Sequence, residues 1–327
     1  MIVRQWDGWL SRVSALAVTA ITVASSGLTD AEPSEPATPS HYVVSVGTDQ
    51  QPEEQGYQSG CADGRIGRSG LHLLFFGTQQ QDGQLRPPGT TNASPAVRIS
   101  EDWVAKSAGG WIRGYAECGS SRAVLALGVN NKTDGGADPA NAGASWARLV
   151  ERVGANAPAD RVTVTGALDG EPGWSKPDWA RGWVDAYVAG TGRMLYAANS
   201  ADGCAADGGK ETCGNGWTMA DVHYVSTGAK STVVAVPQIY RTDGIQARQW
   251  AAISRWGAKN GAGPLRLVGV LTQETACQQR GPCPRTGNSP NQALKQLADA
   301  LNADSSTRLT TALISTDVAW PPNMPAP

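Results

Sequence analysis

Short apolar runs alternate with amphipathic helical patterns from Cys61 to the end of the chain, and this alternation constrains the fold more than any other feature. Most of the runs are continuously apolar, as expected of strands that are buried on both faces of a sheet. The candidate strands lie at 71–78, 123–131, 161–169, 193–200, 221–227, 233–240, 265–273 and 310–317. Eight strands interleaved with helices predict an α/β fold, a single (β/α)8-like TIM barrel.

One connection in this pattern is too short for a regular barrel. Only residues 226–232 separate the fifth and sixth candidate strands, whereas a parallel crossover needs about a dozen residues or more. Either the barrel has an irregular, helix-poor stretch around strands 5–6, or one of the two runs is not a barrel strand. A doubly wound α/β sheet is the alternative architecture. Among the helices, Ser100, Ser175 and Ser289 are candidate N-caps.

The N-terminus has the features of a secretory signal peptide, which we predict over residues 1–31. Arg4 and Arg12 supply positive charge, and the small-residue apolar run at 13–24 is too short to span a bilayer. Residues 32–60 are rich in Pro, Glu, Ser and Gln, which predicts a flexible linker, with a stray strand at 41–48 as a minor alternative. The barrel domain is then predicted over 61–327.

The six cysteines agree with export to an oxidising compartment, so we predict a secreted, extracellular protein. Six cysteines allow 15 pairings. Sequence spacing favours one of them, which is Cys204–Cys213, Cys277–Cys283 and, by remainder, Cys61–Cys118. No Cys/His spacing suggests zinc and the chain has only three histidines, so we expect neither a metal site nor a cofactor.

The charge balance bears on possible partners. A net charge of −2 offers no basic footprint for nucleic acid. We therefore expect no nucleic-acid partner. We also expect no membrane association after signal cleavage, and a monomeric protein.

The third candidate strand, with the sequence VTVTGALDGEPGW, ends in two carboxylates, Asp169 and Glu171. On an extended strand both side chains face the same side, with Cα atoms about 6.6 Å apart. Carboxylates this close repel, which raises one pKa and leaves a protonated acid beside an ionised partner, the pair that glycoside cleavage needs. Asp-Gly and Glu-Pro are also turn-forming sequences. The position at the end of a buried strand favours the catalytic interpretation.

Other candidate site residues follow the strands, because functional residues of such barrels gather at the C-terminal strand ends. Trp174, just beyond Glu171, is the best platform for stacking a sugar ring. The remaining candidate substrate-binding residues are Asn130, Tyr196, Tyr224, Gln238, Tyr240, Glu274 and Asp317. Each of them has an alternative structural role as a core aromatic, a turn residue or the partner of a nearby arginine.

The segment GALDGEPGW resembles the L-D-x-E strand end of family 25 glycoside hydrolases, the lysozyme-type muramidases. The later runs LYAANS, VHYVSTG and VPQIY are similar to that family's order of late strands, and the exported, Cys-paired, Trp-rich character is similar to glycoside-hydrolase-like barrel proteins of actinobacteria. The resemblance implies that Glu171 is the general acid and that Asp169 is the assisting carboxylate or nucleophile. The chain departs from the family after the run at 71–78, where Gln79 and Gln80 replace an acid.

These patterns together predict a secreted glycoside hydrolase that cleaves an extracellular polysaccharide or peptidoglycan with the D-x-E pair. Its partner would be a polysaccharide or cell-wall glycan. The alternative is a non-catalytic glycan- or cell-wall-binding barrel, which the missing first-strand acid favours.

Overall fold

The computed structural model describes residues 36–44, 51–92 and 97–321. These ranges belong to one compact unit, Glu35–Pro327. The predicted signal peptide at 1–31 lies outside the described residues.

A nearly closed barrel of parallel strands forms the centre of the described part of the chain. Its eight strands are β1 (Thr38–Tyr42), β2 (Gly70–Gln79), β4 (Ala123–Asn130), β5 (Val162–Asp169), β6 (Leu195–Ala197), β7 (Val233–Ala235), β8 (Gly269–Thr272) and β9 (Ile314–Ala319), while the short β3 (Leu85–Arg86) pairs antiparallel with β2. Around the barrel the order is β7-β6-β5-β4-β2-β1-β9-β8. The two ends of this order, β7 and β8, are joined by bridges from Ala235 to Leu267 and from Gln238 to Leu271. The prediction of a (β/α)8-like barrel is confirmed.

Helices follow the strands along the described chain. They are α1 (Pro52–Ile66), α2 (Glu101–Cys118), α3 (Pro139–Ala155), α4 (Pro177–Gly190), α5 (Met219–His223), α6 (Ile245–Lys259), α7 (Glu274–Arg280) and α8 (Pro290–Asn302). Ser100 and Ser289 cap α2 and α8 as predicted. The predicted cap of α4 is wrong, because Lys176 occupies the N-cap position and the Ser175 hydroxyl instead accepts a hydrogen bond from Asn131.

The predicted strand at 221–227 is wrong, because this stretch is helical. It lies in α5 and in the π-helical turn Tyr224–Gly228 that continues it. Thr218 and Asp221 cap the start of α5 reciprocally, which fixes a helix despite the β-branched residues that follow. Val222 and Val225 are buried at helical spacing. The second interpretation of the short connection, that one of the two runs is not a barrel strand, is therefore the correct one.

The strand that replaces it comes from the predicted linker. β1 pairs in parallel with β2 and with β9, so it is an integral barrel strand. Residues 52–60 lie in α1, where Pro52 occupies the first turn and Glu53 and Glu54 follow it, a composition that favours a helix N-terminus. The linker prediction over 32–60 is therefore wrong for the described residues, and the barrel begins before Cys61.

Helices α1 and α2 pack backbone against backbone. A Cβ added to Gly60 would lie 2.0 Å from the carbonyl oxygen of Trp111, and one added to Gly114 would lie 2.1 Å from that of Tyr57. The Cys61–Cys118 disulfide links the same two helices. The other two disulfides are also those predicted, Cys204–Cys213 and Cys277–Cys283.

Two apolar layers position the site. The outer layer, between strands and helices, contains fully buried tryptophans, among them Trp111, Trp146 and Trp183. The inside of the barrel is filled by side chains such as Phe75 and Ala167, so the barrel is a packed core and ligands have access only at its ends. Among the described residues, no helix is both long and apolar enough to cross a bilayer.

Candidate active site

A cleft of about 320 Å³ lies at the C-terminal ends of the barrel strands. Six of the residues singled out from the sequence line it, which are Asn130, Asp169, Glu171, Trp174, Gln238 and Tyr240. The other lining residues are Tyr42, Phe75, Gly77, Pro88, Gly89, Lys132, Gln273, Arg280 and Trp320. The barrel topology thus brings both carboxylates and the predicted aromatic platform into one cleft.

Asp169 is the last residue of β5, and its carboxylate accepts a hydrogen bond from a side chain that follows β7. It lies two residues beyond Ala167, whose side chain fills the barrel interior, so it continues the inward-facing register. The amide nitrogen of Gln238 donates to Asp169 Oδ1 at 2.7 Å and to the Ala198 carbonyl at 3.1 Å. These two hydrogen bonds orient the amide so that it donates to the carboxylate. Gln238 is only 3% exposed, so water does not compete for them.

Glu171 lies beyond the strand, and two buried asparagines fix its backbone. Asn131 accepts from the Glu171 N–H at 2.9 Å and donates to the Glu171 carbonyl at 3.0 Å. Asn199 accepts from the Gly170 N–H at 2.8 Å. These contacts fix the loop backbone at Glu171, and the sequence interpretation did not choose either asparagine as a candidate site residue. The signal that could have found them is an amide side chain directly after a strand.

Burial raises the pKa of both carboxyl groups. The pKa of Asp169, the more deeply buried, is raised well above its usual range by desolvation and then by the negative charge of Glu171. Desolvation, and after it the charge of Asp202, raises the pKa of Glu171 to about 7. Lys132 and the Gln238 amide act in the opposite direction on both groups. The sequence predicted that repulsion raises one pKa and leaves the partner ionised. In the structure, burial raises the pKa of both carboxyl groups in addition to this repulsion. The pair therefore titrates together and retains a proton into the neutral range.

Aromatic rings and cations line the sides of the cleft. The Lys132 Nζ lies 4.3 Å from the centre of the Trp174 ring, and the Arg280 Cζ lies 3.2 Å from that of Trp320. Trp320 in turn packs against Tyr42, with ring centres 4.2 Å apart. Tyr42, Lys132, Arg280 and Trp320 were missed from the sequence, because Tyr42 lies in the segment predicted as a linker and the others follow strand ends without a recognisable motif.

Asp317, in β9, and Glu274, the first residue of α7, do not line the cleft. Asp317 accepts hydrogen bonds from the backbone N–H groups of Glu274 at 2.8 Å and Thr275 at 2.9 Å, which caps the start of α7. Glu274 lines a separate depression beside the Cys277–Cys283 disulfide. The structure therefore gives Asp317 a supporting role, because α7 carries Arg280 into the cleft.

The tyrosines predicted on the fourth and fifth strands are also outside the cleft. Tyr196 packs against the apolar side chains inside the barrel. Tyr224 lies on the outer surface, where its hydroxyl donates to Asp185 at 2.6 Å and its ring lies 4.1 Å from the Arg181 guanidinium. Its placement follows from the helical conformation of residues that were predicted as a strand.

The arrangement is suited to proton transfer. A carboxyl pair that shares a proton at neutral pH can supply both an acid and an anionic group to one bound molecule. In the part of the chain that the structure describes, no group of three or more His, Cys, Asp or Glu side chains is placed to hold a metal ion.

Comparisons with known proteins give little further guidance. No family model matches the sequence, and no curated protein matches it. One solved structure with a similar chain course is that of a Bacteroides thetaiotaomicron VPI-5482 protein provisionally assigned as an alpha-L-fucosidase, with 12% identity, a TM-score of 0.44, and coverage of 90% of this chain and 91% of that one. A likeness of this size carries no argument about activity. The resemblance to family 25 glycoside hydrolases and to actinobacterial proteins receives no support from these comparisons.

Proposed function

We propose that this protein is a glycoside hydrolase with Asp169 and Glu171 as its catalytic carboxyl pair. The observation that carries the proposal is the position of the pair, in a cleft at the C-terminal end of a TIM-like barrel, with both pKa values raised by burial. A proton donor with a pKa near 7 is suited to protonating a glycosidic oxygen at neutral pH.

In the proposed reaction Glu171 donates its proton to the departing oxygen, and Asp169 faces the positive charge that develops on the sugar ring or attacks its anomeric carbon. The two groups are coupled, so protonation of Glu171 removes the negative charge that opposes ionisation of Asp169. The hydrogen bond from Gln238 to Asp169 stabilises the ionised form of that carboxyl. The same amide also lowers the pKa of Glu171, so the assignment of the shared proton to Glu171 is part of the proposal.

The proposed substrate is an extracellular polysaccharide or peptidoglycan, and the proposed location is outside the cell. Three disulfides support an oxidising compartment. Trp174, half-buried at the cleft, supports contact with a sugar ring.

Turnover of a panel of polysaccharides and peptidoglycan by purified protein tests the proposal. Glu171→Gln and Asp169→Asn should each lose hydrolysis while the fold persists, because both keep the side-chain shape and remove the ionisable group. Two substitutions at exposed positions are matched controls. Glu211→Gln lies on the Cys204–Cys213 loop, and Asp160→Asn precedes β5, at the end of the barrel opposite the cleft. Both controls should hydrolyse at the wild-type rate.

Two results would contradict the proposal. Full activity of Glu171→Gln on an unactivated glycan would remove this residue from the mechanism. Binding of a glycan by the wild type without turnover of any member of the panel would favour the non-catalytic binding barrel.

A further inference from the structure

The turn directly after β5, residues 171–175, carries both the proton donor of the proposed reaction and the aromatic platform. The N–H of Trp174 donates to the Glu171 carbonyl at 3.0 Å and closes this turn. Asn131 holds it from the end of β4, through the two hydrogen bonds to the Glu171 backbone and a third, at 2.7 Å, to the Ser175 hydroxyl. The positions of the Glu171 carboxyl and the Trp174 ring therefore depend on how the turn 171–175 is held.

A second amide, that of Asn215, holds the same turn from a distant segment. Its Nδ2 donates to the Pro172 carbonyl at 3.0 Å and to the Ser175 carbonyl at 2.9 Å. These two carbonyls lie before and after Trp174 in the chain, so one side chain spans the turn. The Lys176 Nζ donates to the Asn215 Oδ1 at 2.9 Å and to its carbonyl at 3.2 Å. This contact orients the amide so that its N–H groups face the turn 171–175.

The segment that carries Asn215 is itself anchored on both sides. The Cys204–Cys213 disulfide lies just before it in the chain, and the Cys213 N–H donates to the Trp217 carbonyl at 2.7 Å. Trp217 is only 1% exposed, and its indole N–H donates to the Ser175 carbonyl at 2.8 Å. Asn215 therefore reaches the turn from a base that is fixed by a disulfide and a buried ring.

The backbone of Asn215 has a conformation that disfavours a side chain. Its φ is 56°, and in the part of the chain that the structure describes it is the only residue other than glycine with a positive φ. Asn215 lies between Gly214 and Gly216, and a third glycine would adopt this conformation without strain. Asparagine tolerates it better than most residues but still at a cost in free energy. The strain indicates a role for the side-chain amide itself.

We propose that Asn215 is a positioning residue of the candidate active site, whose amide fixes the turn that carries Glu171 and Trp174. This inference rests on the proposed glycosidase function, in which Glu171 donates the proton. Asn215 is not among the described residues that line the cleft, so it acts through the Pro172 and Ser175 carbonyls. Without its amide the turn loses both hydrogen bonds, and water gains access to the Glu171 carboxyl. A small displacement of a proton donor is costly to the reaction rate.

Replacing Asn215 with Gly tests this inference, because glycine keeps the left-handed backbone and removes only the amide. Titration of the Glu171 carboxyl by carbon-13 NMR, with the resonance assigned by its loss in Glu171→Gln, measures the pKa of this group. In Asn215→Gly it should fall from about 7 toward the usual range of a glutamate, since burial is the largest cause of the raised pKa. On a glycan that the wild type cleaves, kcat should fall about tenfold to a hundredfold. The alkaline limb of the pH–rate profile should move to lower pH.

A second variant and a matched control separate positioning from a general effect on the fold. Asn215→Asp keeps the side-chain shape but lacks both N–H donors, so it should lower the pKa of Glu171 and kcat in the same way. Asn156 is also exposed, and its amide donates to the Arg152 carbonyl at 2.8 Å at the end of α3. Asn156→Gly should leave both quantities unchanged. An unchanged pKa of Glu171 in both Asn215 variants, whatever happens to the thermal midpoint, would overturn the inference.

The outcomes separate this inference from the proposed function. Hydrolysis that requires Glu171 but proceeds at the wild-type rate in both Asn215 variants would retain the glycosidase and refute the positioning role. A lowered pKa of Glu171 in both variants, without turnover of any glycan by the wild type, would support the hold of Asn215 on the carboxyl and refute the catalytic proposal.

Discussion

Replacing Glu171 with Gln should make the protein more stable at alkaline pH. The side chain is buried enough to raise its pKa from 4.5 to about 7. A carboxyl whose pKa is higher in the folded state than in the unfolded state stabilises the fold least when it is ionised. Its stabilising effect is complete below the unfolded pKa and is lost as the pH rises through the folded pKa. The glutamine cannot ionise, so the variant escapes this loss.

The size of the effect follows from the two pKa values. A difference of about 2.5 pKa units corresponds to about 3 kcal/mol at 1.36 kcal/mol per unit. Between about pH 4 and pH 8, the free energy of unfolding of Glu171→Gln minus that of the wild type should therefore rise by about 3 kcal/mol. Asp169 is present in both proteins, so its own loss cancels from this difference except for the part that the charge of Glu171 causes.

Urea denaturation of both proteins across this pH range, with disulfides intact, measures the difference. The exposed Glu211→Gln is the matched control, and its curve should follow the wild type at every pH. A difference between Glu171→Gln and wild type that stays constant within about 0.5 kcal/mol from pH 4 to pH 8 would refute the reasoning. It would mean that the Glu171 carboxyl is as well solvated in the folded protein as in the unfolded chain.

Three further predictions concern aromatic recognition, helix packing and the carboxyl pair. Trp174→Ala should weaken polysaccharide binding but change the thermal midpoint little, because its cation–π contact is worth about 1 kcal/mol at a partly exposed site; a large fall in the midpoint would show that the ring is structural. Gly114→Ala should destabilise the protein by about 1–3 kcal/mol or more, since its Cβ would meet an α1 carbonyl at 2.1 Å. Gly109→Ala on the same helix, where nothing lies within 4 Å, should stabilise by about 0.5–1 kcal/mol in the same denaturation assay; equal effects would contradict the close packing. Gln238→Met should shift the pH–rate profile to higher pH, because it removes the hydrogen bond that stabilises ionised Asp169; an unshifted profile would show that this bond does not tune the pair.

The fold was predictable where apolar runs were long and buried on both faces. β2, β4 and β5 match their predicted runs closely, because strands of eight to ten mostly buried residues leave little ambiguity. Errors occur where local chemistry outweighs composition. The capping box at Thr218 turned a β-branched run into a helix, and β1 is too short and too polar to distinguish from a linker without its partners.

The candidate site was predictable only in part. Asp169 ends β5, and Glu171 and Trp174 follow it closely, so the three could be found from a single segment. Tyr42 and Arg280 reach the cleft from distant segments, β1 and α7. Their proximity depends on barrel closure, which no local pattern encodes. Gln238 was named as a candidate from its strand end, but its hydrogen bond to Asp169 joins residues separated by 69 positions and could not be predicted from either segment.

The leaving-group dependence of hydrolysis tests the central claim most directly. For any glycan unit that the wild type cleaves, aryl glycosides with leaving groups of graded acidity are compared in wild type, Glu171→Gln and Asp169→Asn. We expect Glu171→Gln to recover activity as the leaving group improves, because such a substrate needs little proton donation, whereas Asp169→Asn should remain impaired throughout the series. Recovery of Asp169→Asn but not of Glu171→Gln would reverse the two roles, and equal leaving-group dependence in all three proteins would contradict the assignment of this pair to catalysis.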